Sequence, residues 1–101
     1  MMIHFLEIAQ QELDEAVAFH EAQAKGLGQV FLAEVLAALE LMRRHPEGWQ
    51  QLSRNTRRCR LRRFPYGVIY LADQSEILIV AIAHLHRRPD YWHERIQADK
   101  T

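Results

Sequence analysis

The sequence predicts an α+β fold in the order β-α-α-β-β-β-α, a helical hairpin packed on a curved, mainly antiparallel sheet to give two layers. Three observations lead there. Apolar residues recur with a helical period up to residue 44, and from residue 56 onward they alternate or run on as in strands. Glycine and proline fall where one pattern gives way to the other, at Gly26, Gly28, Pro46 and Pro65. The length, 101 residues, predicts one domain over 1–101 with a modest core.

The run Ile3–Leu6 reads as a first strand. From Ala9 to Lys25 the residues Leu13, Ala16, Val17, His20 and Ala24 share one helical face, and Glu12, Glu15 and Gln23 mark the opposite one as solvated. The segment 26–28, Gly-Leu-Gly, breaks that helix, because glycine supplies the backbone freedom of a tight turn. A second helix is expected over Gln29–Arg44. Its apolar arc of Val30, Phe31, Leu32, Val35, Leu36, Leu39 and Met42 is broad, so deeper burial is expected. Arg43, Arg44 and His45 suit a helix C-terminus, and Pro46 enforces the stop. The short connection implies an antiparallel hairpin.

Strand character follows. Arg58, Arg60 and Arg62 alternate with Cys59 and Leu61, which puts the arginines on one face and the small apolar pair on the other. Pro65 suggests a bend before residues 66–72, and 73–76 is a turn. Residues 77–86 are nearly all apolar, as in the centre of a sheet. Pro89 and Asp90 are expected to open a short C-terminal helix carrying Tyr91 and Trp92. Trp49 reads as a plug for the core, and Cys59 as a small buried hydrophobe.

The zero net charge conceals a division. Residues 1–42 hold seven acids against one base, and residues 43–101 hold twelve bases against six acids. Between Arg54 and Arg63 six arginines occupy ten positions with no acid among them. Such asymmetry points to an anionic partner, nucleic acid or acidic protein, unless cationic strands neutralise anionic helices across the fold. For the ridge of Arg58, Arg60 and Arg62 the alternative is a solvated strand face that discourages aggregation. Without interleaved acids an anion-binding role fits better.

Other classes are set aside. No apolar run reaches the roughly 18 residues of a membrane span, and the N-terminus lacks the basic flank and long apolar region of a signal peptide. One cysteine allows no internal disulfide. His84 and His86 share a strand face but have no third ligand, so no metal and no cofactor is expected. A cytoplasmic protein fits.

The basic strand, the segment Phe64-Pro-Tyr-Gly-Val-Ile-Tyr70 and the segment Ile77–Trp92 together resemble the RelE/ParE superfamily of bacterial type II toxins, with residues 57–92 the most specific part. The resemblance implies a toxin neutralised by a cognate antitoxin, with which it forms a hetero-oligomer. It also implies one of two targets, DNA gyrase or the ribosome with its mRNA. The RelE-like members are metal-independent endoribonucleases that use arginine, lysine and tyrosine. Carried over by position, their catalytic set falls on Arg58, Arg60, Arg87 and Tyr91, with Trp92 assigned to packing and His93 a further candidate. Arg62, Arg63, His84 and Arg88 would bind the anion or the target. Gly67 stands where RelE-like nucleases place another arginine, and losing such a contact costs on the order of 10²–10³ in rate. That departure favours ParE-like action on gyrase. Ribosome-dependent cleavage and a non-toxic, antitoxin-binding remnant of the fold remain the alternatives.

Overall fold

A computed structural model of the chain describes residues 1–88 and 91–99. The elements are β1 (Met2–Phe5), α1 (Glu7–Gln23), α2 (Leu27–Arg44), β2 (Gln50–Gln51), β3 (Thr56–Arg60), β4 (Tyr66–Ala72), β5 (Glu76–His84) and α3 (His93–Asp99). The expected order therefore holds, with one extra two-residue strand. The strands form one sheet in the order β1-β5-β4-β3-β2. Only β1 runs parallel to its neighbour β5; the other pairings are antiparallel.

The hairpin covers one face of the sheet. Leu13 and Ala16 of α1 and Phe31, Val35, Leu39 and Met42 of α2 pack on Cys59, Val68, Tyr70, Ile77, Ile79 and Ile82. His20 belongs to this core: it stacks on Phe31 at 4.6 Å, meets Phe64 edge-on at 4.9 Å, and its Nδ1–H donates to the Ala16 carbonyl at 2.7 Å. The helices join at Gly26, whose φ of +89° suits glycine. The Glu21 carboxylate accepts from the Gly26 and Gly28 amides at 2.9 and 3.1 Å, satisfying N–H groups at the start of α2. A Cβ at residue 28 would lie 2.7 Å from the Val17 carbonyl oxygen, so the helices approach closely there.

The other face of the sheet is covered by the C-terminal segment, with Trp92 buried against Ile69, Val80, Ala81 and Ala83. β5 carries a bulge that permits this. Ile69 pairs with Ala81 and Tyr70 with Ile79, which leaves Val80 as the extra residue and sharpens the local twist.

Several expectations need correction. In α2 the apolar arc is not buried throughout: Val30 and Leu36 are exposed, because only one side of the helix meets the sheet. In α1 Glu12 is not on a solvated face; its side chain is 13% exposed and ion-paired. The arginine alternation stops at Arg60, where β3 ends and the chain turns through residues 62–65. Tyr91 and Trp92 lie in a turn ahead of α3, which starts at His93. The helix opening expected at Pro89 and Asp90 lies outside the described residues.

Candidate functional site

On the face away from the hairpin, the end of β5 and the turn after it bring basic side chains to the middle of the sheet. Arg58 from β3, Arg87 and Arg88 from the turn after β5, and Tyr91 and Trp92 ahead of α3 line one small cavity of about 20 Å³ floored by Ile69 and Ala83. His84 borders it, but its ring lies on the hairpin side of the sheet, edge-on to Tyr66 at 5.0 Å. The turn is closed by the Arg87 amide donating to the His84 carbonyl at 3.1 Å. Five of the eight residues singled out from sequence thus meet or border one seat: Arg58, His84, Arg87, Arg88 and Tyr91.

Arg58 is held from both ends. Its aliphatic stem crosses Gly67, where a Cβ would come within 2.9 Å of Arg58 Cγ and 3.0 Å of Cδ. One Nη donates to Gln50 Oε1 at 2.9 Å, while Nε is buried without a hydrogen-bond partner. Burial, and then the neighbouring charge of Arg60, pulls the guanidinium below its ordinary value. Arg60 is exposed on the strand position opposite Gly67.

Tyr91 faces two ways. The Arg87 guanidinium sits over its ring, 4.2 Å from the centroid, a cation–π contact. Its hydroxyl donates away from the cavity, to Glu12 Oε2 at 3.1 Å. Burial, reinforced by the Glu12 charge, pushes the phenol up to about 12, so near neutral pH it keeps its proton and is no base.

Glu12 is the centre of a network that sequence analysis missed. Arg95 grips it with two hydrogen bonds, at 2.8 and 2.9 Å. Arg95 also donates to the Val80 carbonyl at 3.0 Å, and Glu12 accepts from the Ile82 amide at 3.1 Å. These groups lie on the edge of β5 just beyond its pairing with β1, so the ion pair satisfies backbone that no strand covers. A signal was present. Glu12 follows buried Ala9 by three residues and precedes buried Ala16 by four, on the border of the apolar stripe.

Arg62 and Arg63 go elsewhere. Both backbone amides donate to Glu34 of α2, and Arg63 Nε donates to the same carboxylate at 3.0 Å. Arg63 is therefore an ion-pair partner rather than part of the seat. His84 Nδ1 accepts from the His86 amide at 3.1 Å, and among the described residues no three His, Cys, Asp or Glu side chains gather as a metal site.

The helical hairpin on one face of a five-stranded mixed sheet is the α+β architecture expected of a RelE/ParE-type toxin. Residues 3–89 match the family model described as the ParE toxin of type II toxin–antitoxin system, parDE. The chain belongs to that family and is a type II toxin, whose partner is a cognate antitoxin. The match ends before α3. Among solved structures, the chromosomal ParDE toxin–antitoxin system from P. aeruginosa shares the fold, with a TM-score of 0.69 and 18% identity over 85% of this chain and 97% of that one. No curated protein matches the chain. No helix among the described residues is long and apolar enough to cross a membrane.

Proposed function

We propose that this toxin arrests growth by acting on DNA gyrase in the cytoplasm, and that a cognate antitoxin silences it in a hetero-oligomer. Membership of the ParE family supports the gyrase target. The observation that carries the choice against RNA cleavage is Tyr91: its proton is committed to Glu12 and its ring lies beneath Arg87. The seat itself, about 20 Å³, holds a water-sized group rather than a base. Docking on a protein–DNA complex needs neither.

For the antitoxin we propose the groove between α2 and β3, about 440 Å³, which Ala37, Leu41, Trp49 and Leu61 make apolar. Arg60 and Arg62 stand at its rim, and the buried Trp49 Nε1 lacks a partner. An amphipathic segment with acidic flanks would fill it and cover the basic edge of β3.

The test is direct. The chain is expressed from a tightly repressed promoter, and the purified protein is added to gyrase with relaxed plasmid. Growth arrest with blocked supercoiling and intact mRNA is expected. Arrest accompanied by new mRNA ends inside translated codons would replace this reading with ribosome-dependent cleavage, and absence of arrest from soluble protein would leave only the inactive remnant.

A further inference from the structure

We infer that the cavity between Arg58, Arg87 and Arg88 seats a single anionic oxygen of a DNA phosphodiester, so that this toxin grips duplex backbone without reading its sequence. The inference rests on the gyrase reading above, because a gyrase complex presents DNA beside protein.

Size is the first reason. A cavity of about 20 Å³ holds one water-sized group. It accommodates a phosphate oxygen but no base or sugar, so it can recognise backbone only.

Charge is the second. Among the described residues each largely buried carboxylate already meets its guanidinium, Glu12 with Arg95 and Glu34 with Arg63, and exposed Glu40 meets Arg43 and Arg44. Among the described residues Arg58, Arg87 and Arg88 have no carboxylate within ion-pair reach, and Arg60 stands next along the strand. One carboxylate needs one such fork. A set of guanidinia on a single face suits a polyanion, which carries a charge every ~1.7 Å along the duplex axis.

Preorganisation is the third. Arg58 is already stretched over Gly67 and tethered to Gln50, with a desolvated Nε that no described residue satisfies. An unpaired buried donor is costly, and an arriving oxygen would relieve it. Arg87 is likewise fixed by its stack on Tyr91. Little side-chain freedom is left to lose on binding.

The test measures anisotropy of a short fluorescein-labelled duplex of mixed sequence with the full chain across a salt series. Arg58→Gln keeps most of the stem over Gly67, and Arg88→Gln alters an exposed side chain, so at least one variant folds. Each is expected to flatten the slope of log affinity against log salt by about 0.9, while Arg43→Gln leaves it unchanged. Failure of the wild-type chain to bind the duplex at about 50 mM salt, or equal slopes in wild type and both variants, overturns the inference. Tighter binding of a single-stranded RNA of the same sequence overturns it too. So does an acidic peptide that takes the place of the duplex and needs the same two arginines. Supercoiling assays on the same proteins separate the two ideas. Gyrase inhibition with unaltered slopes sinks the phosphate seat alone; arginine-dependent DNA binding without gyrase inhibition sinks the gyrase target alone.

Discussion

Gly67 shows how much one residue's meaning depends on its neighbour. Read along the chain, it deletes an arginine from the strand after Tyr66. In space the position is filled, because the Arg58 stem lies where any Cβ would stand. Gly67 and Arg58 are therefore one feature: the glycine lets a guanidinium from β3 reach the middle of the sheet, desolvated and tethered. Gly67→Ala would put a methyl 2.9 Å from Arg58 Cγ. A flexible stem can yield, so the expected cost lies at the low end of overpacking, about 1 kcal/mol, read as a small drop in Tm. The displaced guanidinium should also flatten the salt dependence of duplex binding as Arg58→Gln does. An alanine variant with wild-type Tm and wild-type slope would show that Arg58 does not depend on the glycine.

At the scale of elements, the two long helices were legible because their apolar spacing is the packing itself. Leu13, Ala16, Phe31, Val35, Leu39 and Met42 are buried at helical intervals. What escaped notice is set by hydrogen bonds between distant segments. By residue type Glu12 reads as solvated, although its position borders the buried stripe. Alternation carries the strand pattern on to Arg62 in sequence, whereas the Leu61 amide already donates to the Tyr66 carbonyl across a turn at 2.9 Å and ends β3 at Arg60. α3 depends on one of these distant contacts. Only seven residues long, it would not persist alone; Trp92 and the Glu12–Arg95 pair fix it to the sheet and to α1. The two charges are only 13% and 17% exposed, so removing one strands the other. Arg95→Leu is expected to cost about 3–5 kcal/mol, while the double change Glu12→Leu with Arg95→Leu costs less. Urea unfolding of the three proteins measures this. A loss under about 1 kcal/mol in Arg95→Leu would place the pair with ordinary surface ion pairs.

For the whole molecule, the acidic first part and basic second part are neither fully neutralised nor fully segregated. Glu12–Arg95 and Glu34–Arg63 join the two parts across the fold, as mutual neutralisation requires. The arginines around the seat are left over, on the face away from the hairpin, and this remainder carries the proposed function. The asymmetry was visible in the sequence; which arginines were already engaged was not, since pairing is decided by tertiary contacts. Glu34 ties the helical layer to the β3–β4 connection, and its titration should be felt in overall stability. Burial raises its pKa, but the Arg63 and Arg62 amides and the Arg63 guanidinium more than offset that, so the folded-state value lies below the usual 4.5. A depressed carboxylate gives stability that is fully present above the unfolded pKa and is lost as pH falls through the folded one. Exposed Asp73 and Glu40 are shifted the same way. The urea midpoint should therefore hold from pH 7 to about 5 and fall below about 4.5. Glu34→Gln, which cannot titrate, should start lower at pH 7 and lose less between pH 5 and 3. Parallel pH curves for variant and wild type would mean that the tie between the layers does not depend on this charge.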